Sequence, residues 1–363
     1  MRNFLERYRI ELETIGPIHV GSGETLRKRE WILEWTDQRA IIIDFDKFFS
    51  LLQRKRLLAE YERYVSAAGG DLLRWMKEHE ISKKERYEIG KYTLDTSGLD
   101  LKNSRIRDMS MTMKDPYGLP YIPGTSLKGA LRNVLLASKI GQSNEQIARL
   151  KQEIRTCRGR AKGFLSGQSN ALNQKIFHTK GLSEKTADAV NDMMSGLRIS
   201  DSNPVGLEHL TLCQKIDAMP DGRTRDLPLV RECILPGTKF CFDMTIDRTE
   251  TTLTVSVIQE ALQQFLDDYN RLFLHCFPEE KQYHGQVLYL GGGSGFPTKT
   301  VLNQLLQQES DRVKLISDTL NKMFPNKHNE DVRKGVSPRV AKLTEIDGSL
   351  LQTGPCSIEI AAV

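Results

Sequence analysis

The chain has 363 residues, of which 39% are hydrophobic and 27% charged, an ordinary balance for a globular protein that buries a substantial core. Its net charge of +5 permits a nucleic-acid partner without demanding one, because basic residues must be concentrated locally to matter. No window reaches the roughly 18 apolar residues of a membrane-spanning helix, and the opening MRNFLERYRIELE is too charged for a secretory signal. Six dispersed cysteines read as reduced thiols that pack in the core or at the surface, so a cytoplasmic location without membrane contact is expected.

In chain order, YRIELETI at Tyr8 to Ile15 alternates and predicts a strand with Tyr8, Ile10, Leu12 and Thr14 on one face. Val20-Gly21-Ser22-Gly23 predicts a loop able to bring backbone amides to a ligand. Strands follow around Trp31 to Trp35 and Ala40 to Asp44, then a long helix from Phe45 to Ala68 carrying Arg54-Lys55-Arg56, and a second helix from Asp71 to Glu80. Both helices are charged outside their apolar stripes, as befits a helical insertion beside a sheet.

LPYIPGTSLKGALRNVLL, Leu119 to Leu136, reads as a short buried strand, a Pro-Gly turn and a helix whose apolar residues Leu127, Ala130, Leu131, Val134 and Leu135 share one face. Thr125 or Ser126 is a candidate cap, and Lys128 and Arg132 project together four residues apart. A glycine turn, a helix N-terminus and paired cations suit an anion such as a phosphodiester backbone. A merely solvated cationic helix face is the plain alternative.

The stretch from Ile140 to Ser195 is polar, with Arg155, Arg158, Arg160 and Lys162 in one run. It reads as a mobile basic segment that orders on RNA or, equally, as a linker. Strands are predicted at Leu197 to Ser200, Thr211 to Ile216, Leu227 to Ile234 and Thr238 to Ile246, then a helix from Val257 to Phe277. Strand Val287 to Leu290 enters the glycine loop Gly291 to Gly295, and a helix is expected to leave from Thr298. A further helix covers Arg312 to Met323, and Ser357 to Ala361 closes as a strand. Interleaved strands and helices with frequent hairpins favour an α+β sandwich of ferredoxin-like units over a doubly wound parallel sheet.

PYIPGTSLKGALR resembles the glycine-rich signature of the RAMP superfamily, the repeat-associated proteins of CRISPR effector complexes. GPIHVGSGE at Gly16 to Glu24 is similar to their N-terminal strand and loop. With IIIDFDKFF, LRISDS and LGGGSGFPTKT, the set most resembles the type III-A (Csm) subunit that caps the backbone filament over the 3′ part of the guide RNA. That resemblance implies an α+β fold of RAMP-type ferredoxin-like (RRM-like) units with antiparallel sheets, helical insertions and glycine-rich loops. The expected division is residues 1–205, with a helical insertion at about 45–95 and a basic mobile segment at about 140–195, and a second degenerate unit at residues 206–363.

It also implies the partners: the CRISPR guide RNA, other RAMP subunits of a Csm complex and the adjacent backbone subunit above all, host trimming nucleases, and target RNA indirectly. A supporting role in guide-RNA maturation and antiviral defence follows. The expected RNA-binding residues are His19, Gly21, Ser22, Gly23, Gly124, Ser126, Lys128, Arg132, Arg158, Arg160, Gly292, Gly293, Ser294 and Lys299.

No catalytic residue, cofactor or metal ligand is assigned. Phe296 stands where a dinucleotide fingerprint needs its third glycine, and Thr298 where a P-loop needs glycine before Lys299. His209-x-x-x-Cys213 lacks a second ligand pair for zinc. Asp201 is read as serving its own turn. The alternative to a non-catalytic subunit is a metal-independent endoribonuclease of CRISPR repeat RNA with His19 as acid or base.

Overall fold

A computed structural model describes residues 4–67, 71–99, 108–140, 144–156, 165–306 and 308–363. The first strand, β1 (Leu5–Thr14), buries Ile10, Leu12 and Thr14 and leaves the charged alternates in solvent, as its period of two requires. β2 (Gly21–Arg27) follows, so the expected glycine loop is the start of a bulged, solvent-facing edge strand. Next come β3 (Trp31–Glu34) and β4 (Arg39–Ile43).

The long helix expected from Phe45 is two helices, α1 (Phe45–Lys55) and α2 (Leu58–Ser66), broken where Arg56 turns left-handed at φ 58°. The basic cluster therefore sits at the C-terminal end of α1, where the helix dipole favours it. With α3 (Leu72–Glu78) and α4 (Lys83–Glu88) these helices enclose a separate small core around Phe48, Leu52, Trp75 and Met76 against Ile41 and Ile43.

β5 (Gly90–Asp95) and β6 (Asp108–Thr112) precede the central helix α5 (Gly124–Lys139), which buries Leu127, Leu131, Val134 and Leu135 as its spacing predicts. The segment read as mobile or linker contains two helices, α6 (Asn144–Thr156) and α7 (Ser166–Phe177). Leu150, Ile154 and Phe177 reach the main core from them, an amphipathic stripe masked in the sequence by polar neighbours.

The remaining elements are β7 (Leu197–Ile199), β8 (Leu210–Ala218), β9 (Thr224–Ile234), β10 (Lys239–Asp247), α8 (Val255–Leu272) and β11 (Val287–Tyr289). After them come α9 (Glu309–Met323), β12 (Ala341–Ile346), β13 (Ser349–Gln352) and β14 (Pro355–Ala362). No helix leaves from Thr298. Its hydroxyl donates back to the carbonyls of Ser294 and Gly295, both at 3.1 Å, and the chain there runs as successive turns.

One sheet has the order β11-β14-β1-β10-β7, with antiparallel neighbours throughout. Read as β1, α5, β7, β10, α8 and β14, the chain makes a β-α-β-β-α-β unit whose fourth strand pairs the first and whose third separates first from second. That is the ferredoxin-like arrangement. It draws two strands from before residue 205 and two from after it, so the boundary expected there runs through the middle of this unit. The other sheet has nine strands, seven along β2-β6-β9-β8-β5-β4-β3, with β12 paired to β8 and β13 to β12. Helices α5 and α8 share one continuous core with both sheets, from Ile10, Leu12 and Phe242 to Leu212 and Val230.

Candidate nucleic-acid interface

Two glycine motifs far apart in sequence meet behind α5. The amide of Gly292 donates to the carbonyl of His19 at 2.6 Å. A Cβ on Gly291 would lie 2.4 Å from that same oxygen, so only glycine lets the loop lie on the strand leading into β2. A cleft of about 400 Å³ opens along this seam, walled by His19 and Gly21 on one side and Gly292 and Lys299 on another. The third wall is the face of α5 formed by Ser126, Gly129, Ala130 and Asn133, at the i, i+3, i+4, i+7 spacing of one helix side. Asn133 ties that wall to the loop by donating to the carbonyl of Thr298 at 3.4 Å.

His19 is buried, and its Nδ1 lies 2.8 Å from the carbonyl oxygen of Glu232. A carbonyl only accepts, so Nδ1 carries the proton and Nε2 keeps a lone pair beside Gly21. Burial pushes the imidazole below its ordinary pKa, against the raising effect of that hydrogen bond and with help from the charge of Arg231. The ring is therefore neutral near pH 7. Behind it, Glu232 is fully buried and accepts from the Tyr92 hydroxyl at 2.6 Å and the Thr112 amide at 3.0 Å, while the Lys114 ammonium pairs with it.

The cations at the cleft are not those the helix motif suggests. Lys299 is exposed, yet its ammonium is pushed below the ordinary lysine range by the surrounding protein and by Arg231. Arg231 projects from β9 beneath the glycine loop, its Nη1 3.2 Å from where a Cβ of Gly293 would stand. Lys215 on β8 is depressed by burial and then by Lys342, which itself donates to Asp217 at 2.5 Å. Four cations thus crowd along β8, β9, β12 and the loop with Asp217 as the nearby carboxylate. Among the described residues neither Arg231 nor Lys299 forms an ion pair. Sequence reading missed Arg231 and Lys215; both lie inside predicted strands, next to other polar residues from which no local pattern separates them.

The expected residues divide accordingly. His19, Gly21, Ser126, Gly292 and Lys299 line the cleft. Ser22 and Gly23 lie on the edge strand beyond it, where the Ser22 hydroxyl donates to Met111 and accepts from Glu24. Ser294 faces inward and donates to the carbonyl of Gly291 at 3.3 Å.

Gly124 is a packing position, since a Cβ there would meet the Ser200 and Ile199 carbonyls at 2.3 and 2.4 Å. Its amide donates to Asp201 Oδ1 at 2.8 Å, so Asp201 serves the start of α5 rather than its own turn. Pro123 is the cap residue there, and neither Thr125 nor Ser126 caps the helix.

Lys128 and Arg132 point away from the cleft wall of α5. Arg132 donates to Asn173 at 2.9 Å and Asp192 at 2.7 Å and stacks over Phe177 at 4.4 Å. Lys128 is half-buried beside it and pushed below its ordinary pKa by that burial, against the attraction of Asp192. Arg158 and Arg160 lie outside the described residues. Among the described residues no group of three or more His, Cys, Asp or Glu could hold a metal ion, and no helix is long and apolar enough to cross a membrane.

The sequence profile of the RAMP superfamily matches residues 11–333. The chain belongs to the RAMP superfamily. Among curated relatives of this RAMP protein are the CRISPR system Cms protein Csm5 of Streptococcus thermophilus, 29% identical with 86% of each chain covered, and that of Enterococcus italicus, 27% identical with 98% of each covered. Two solved structures share the fold. A chain of the cryo-EM structure of a Csm–crRNA–target RNA ternary complex in a type III-A CRISPR-Cas system matches with TM-score 0.62 at 18% identity, covering 97% of this chain and all of that one (100%). The crystal structure of T.onnurineus Csm5 matches with TM-score 0.60 at 19% identity, covering 96% and 99%.

Proposed function

We propose that this RAMP protein is a non-catalytic RNA-binding subunit of a type III-A CRISPR ribonucleoprotein. In this reading it holds the 3′ part of the guide RNA, caps the backbone filament beside an adjacent RAMP subunit, and supports guide-RNA maturation and antiviral defence in the cytoplasm. One observation carries it: Arg231 and Lys299 stand without ion pairs among the described residues, beside a cleft lined in large part by glycine and small side chains. Crowded cations repel one another, and an incoming anion relieves that repulsion. Glycine walls let a phosphate backbone approach closely, which suits positioning contacts more than base recognition. The full-length likeness to proteins named Csm5 supports the assignment to such a complex.

Replacing Arg231 and Lys299 together by alanine should weaken binding of single-stranded RNA on the order of a hundredfold, two lost charge-assisted contacts at somewhat over 1.4 kcal/mol each. The log–log salt slope should become shallower by about 0.7 per phosphate released. Unchanged affinity and slope would refute the reading. RNA cleavage without metal, abolished by His19→Ala, would favour an endoribonuclease instead.

A further inference from the structure

The turn between Lys114 and Pro120 carries Tyr117, whose side chain is 91% exposed, more than any other large apolar or aromatic residue among those described. The turn that carries it is tightly bonded. Asp115 Oδ1 accepts the amides of Tyr117 and Leu119, both at 2.9 Å. The Asp115 amide donates to the Leu119 carbonyl and the Gly118 amide to the Asp115 carbonyl, again at 2.9 Å. A ring displayed on a rigid turn has little left to lose in backbone entropy on binding.

Its position relates it to the cleft. The base of the turn is bonded to the cleft wall, Met113 N–H to the Val20 carbonyl at 2.7 Å, next to the Gly21–Thr112 pair. On its other side the chain passes Ile122 and Pro123 directly into α5, whose Ser126 forms the facing wall. Tyr117 lies three residues from Lys114, within about 10 Å of it even for an extended chain.

We propose that Tyr117 is a stacking platform for a base of the single-stranded RNA whose phosphates occupy the cleft, an inference that rests on the RNA-binding reading above. A protein-contact anchor would sit in a wider apolar patch. No other large hydrophobic residue of that turn is exposed among the described residues, and the turn adjoins the wall of a cationic cleft. Every base offers a π face, so the contact is sequence-tolerant and adds affinity without adding salt dependence.

The test measures binding of a fluorescein-labelled single-stranded RNA of mixed sequence, across salt concentrations, to the full chain and three variants. Tyr117→Ala should bind about tenfold more weakly with an unchanged salt slope, while Tyr117→Phe stays close to the parent. Melting temperatures should not move, since the residue is 91% exposed. If Tyr117→Ala binds like the parent while Arg231→Ala with Lys299→Ala is weakened, stacking is wrong and the cleft stands. If neither is weakened, both fail. Equal loss in Tyr117→Ala and Tyr117→Phe would mean a hydroxyl contact and also overturn stacking.

Discussion

Arg132→Ala separates a structural arginine from an RNA-binding one. The side chain joins three pieces of chain: α5 itself, Asn173 on α7, and Asp192 ahead of β7, with the buried Phe177 ring beneath the guanidinium. Arg132 and Asp192 are 27% and 19% exposed, so solvent screens the pair only in part. A hydrogen bond to a charged group contributes about 1.5–3 kcal/mol, and partial exposure argues for the lower end. The stacking on Phe177 adds about 0.5–1 kcal/mol. Asp192 keeps one partner, the Met194 amide at 2.9 Å, so its carboxylate is not stranded. The sum is about 2–4 kcal/mol. Urea denaturation of Arg132→Ala should show that loss, whereas RNA affinity measured well below the transition should be close to that of the parent. Lys128→Ala, which removes no described bond, should stay within about 0.5 kcal/mol. An Arg132→Ala protein that unfolds like the parent yet binds RNA a hundredfold more weakly would refute this reasoning and return Arg132 to the interface.

Gly124→Ala places a methyl group against two backbone carbonyls that cannot yield separately, so α5 and β7 must part by about 1 Å. We expect a loss of about 1–3 kcal/mol, partly offset by alanine's better helix propensity, read as an earlier urea midpoint; a later one would show that the contact is not tight. His19 is held below its ordinary value of 6.5, so the unfolded chain takes up the proton first. Stability is then complete above about pH 6.5 and falls as pH drops from there toward the folded-state pKa. His19→Asn, whose amide can still donate to the Glu232 carbonyl, should flatten the fall of melting temperature between about pH 7 and 5, and an unchanged profile would clear His19 of responsibility.

Local pattern was enough to determine α5, β1 and most other strands, because the Leu127–Leu131–Leu135 stripe and the Ile10–Leu12 alternation each admit one periodicity. The glycine motifs likewise announced close backbone approach, and the RAMP signature they compose spans most of the chain. Tertiary structure alone decided what each glycine approaches: Gly124 meets β7, and Gly291 meets the His19 carbonyl. It decided too that β1 pairs with β14 across nearly the whole chain, closing a ferredoxin-like sheet whose strands come from both sides of residue 205. The cations show the reason most clearly. Arg132 stands in the best motif and Arg231 inside a predicted strand with no motif of its own, yet Asp192 neutralises the first and no described carboxylate pairs with the second. Whether a charge is compensated depends on neighbours brought from dozens or hundreds of residues away, and no local spacing encodes that.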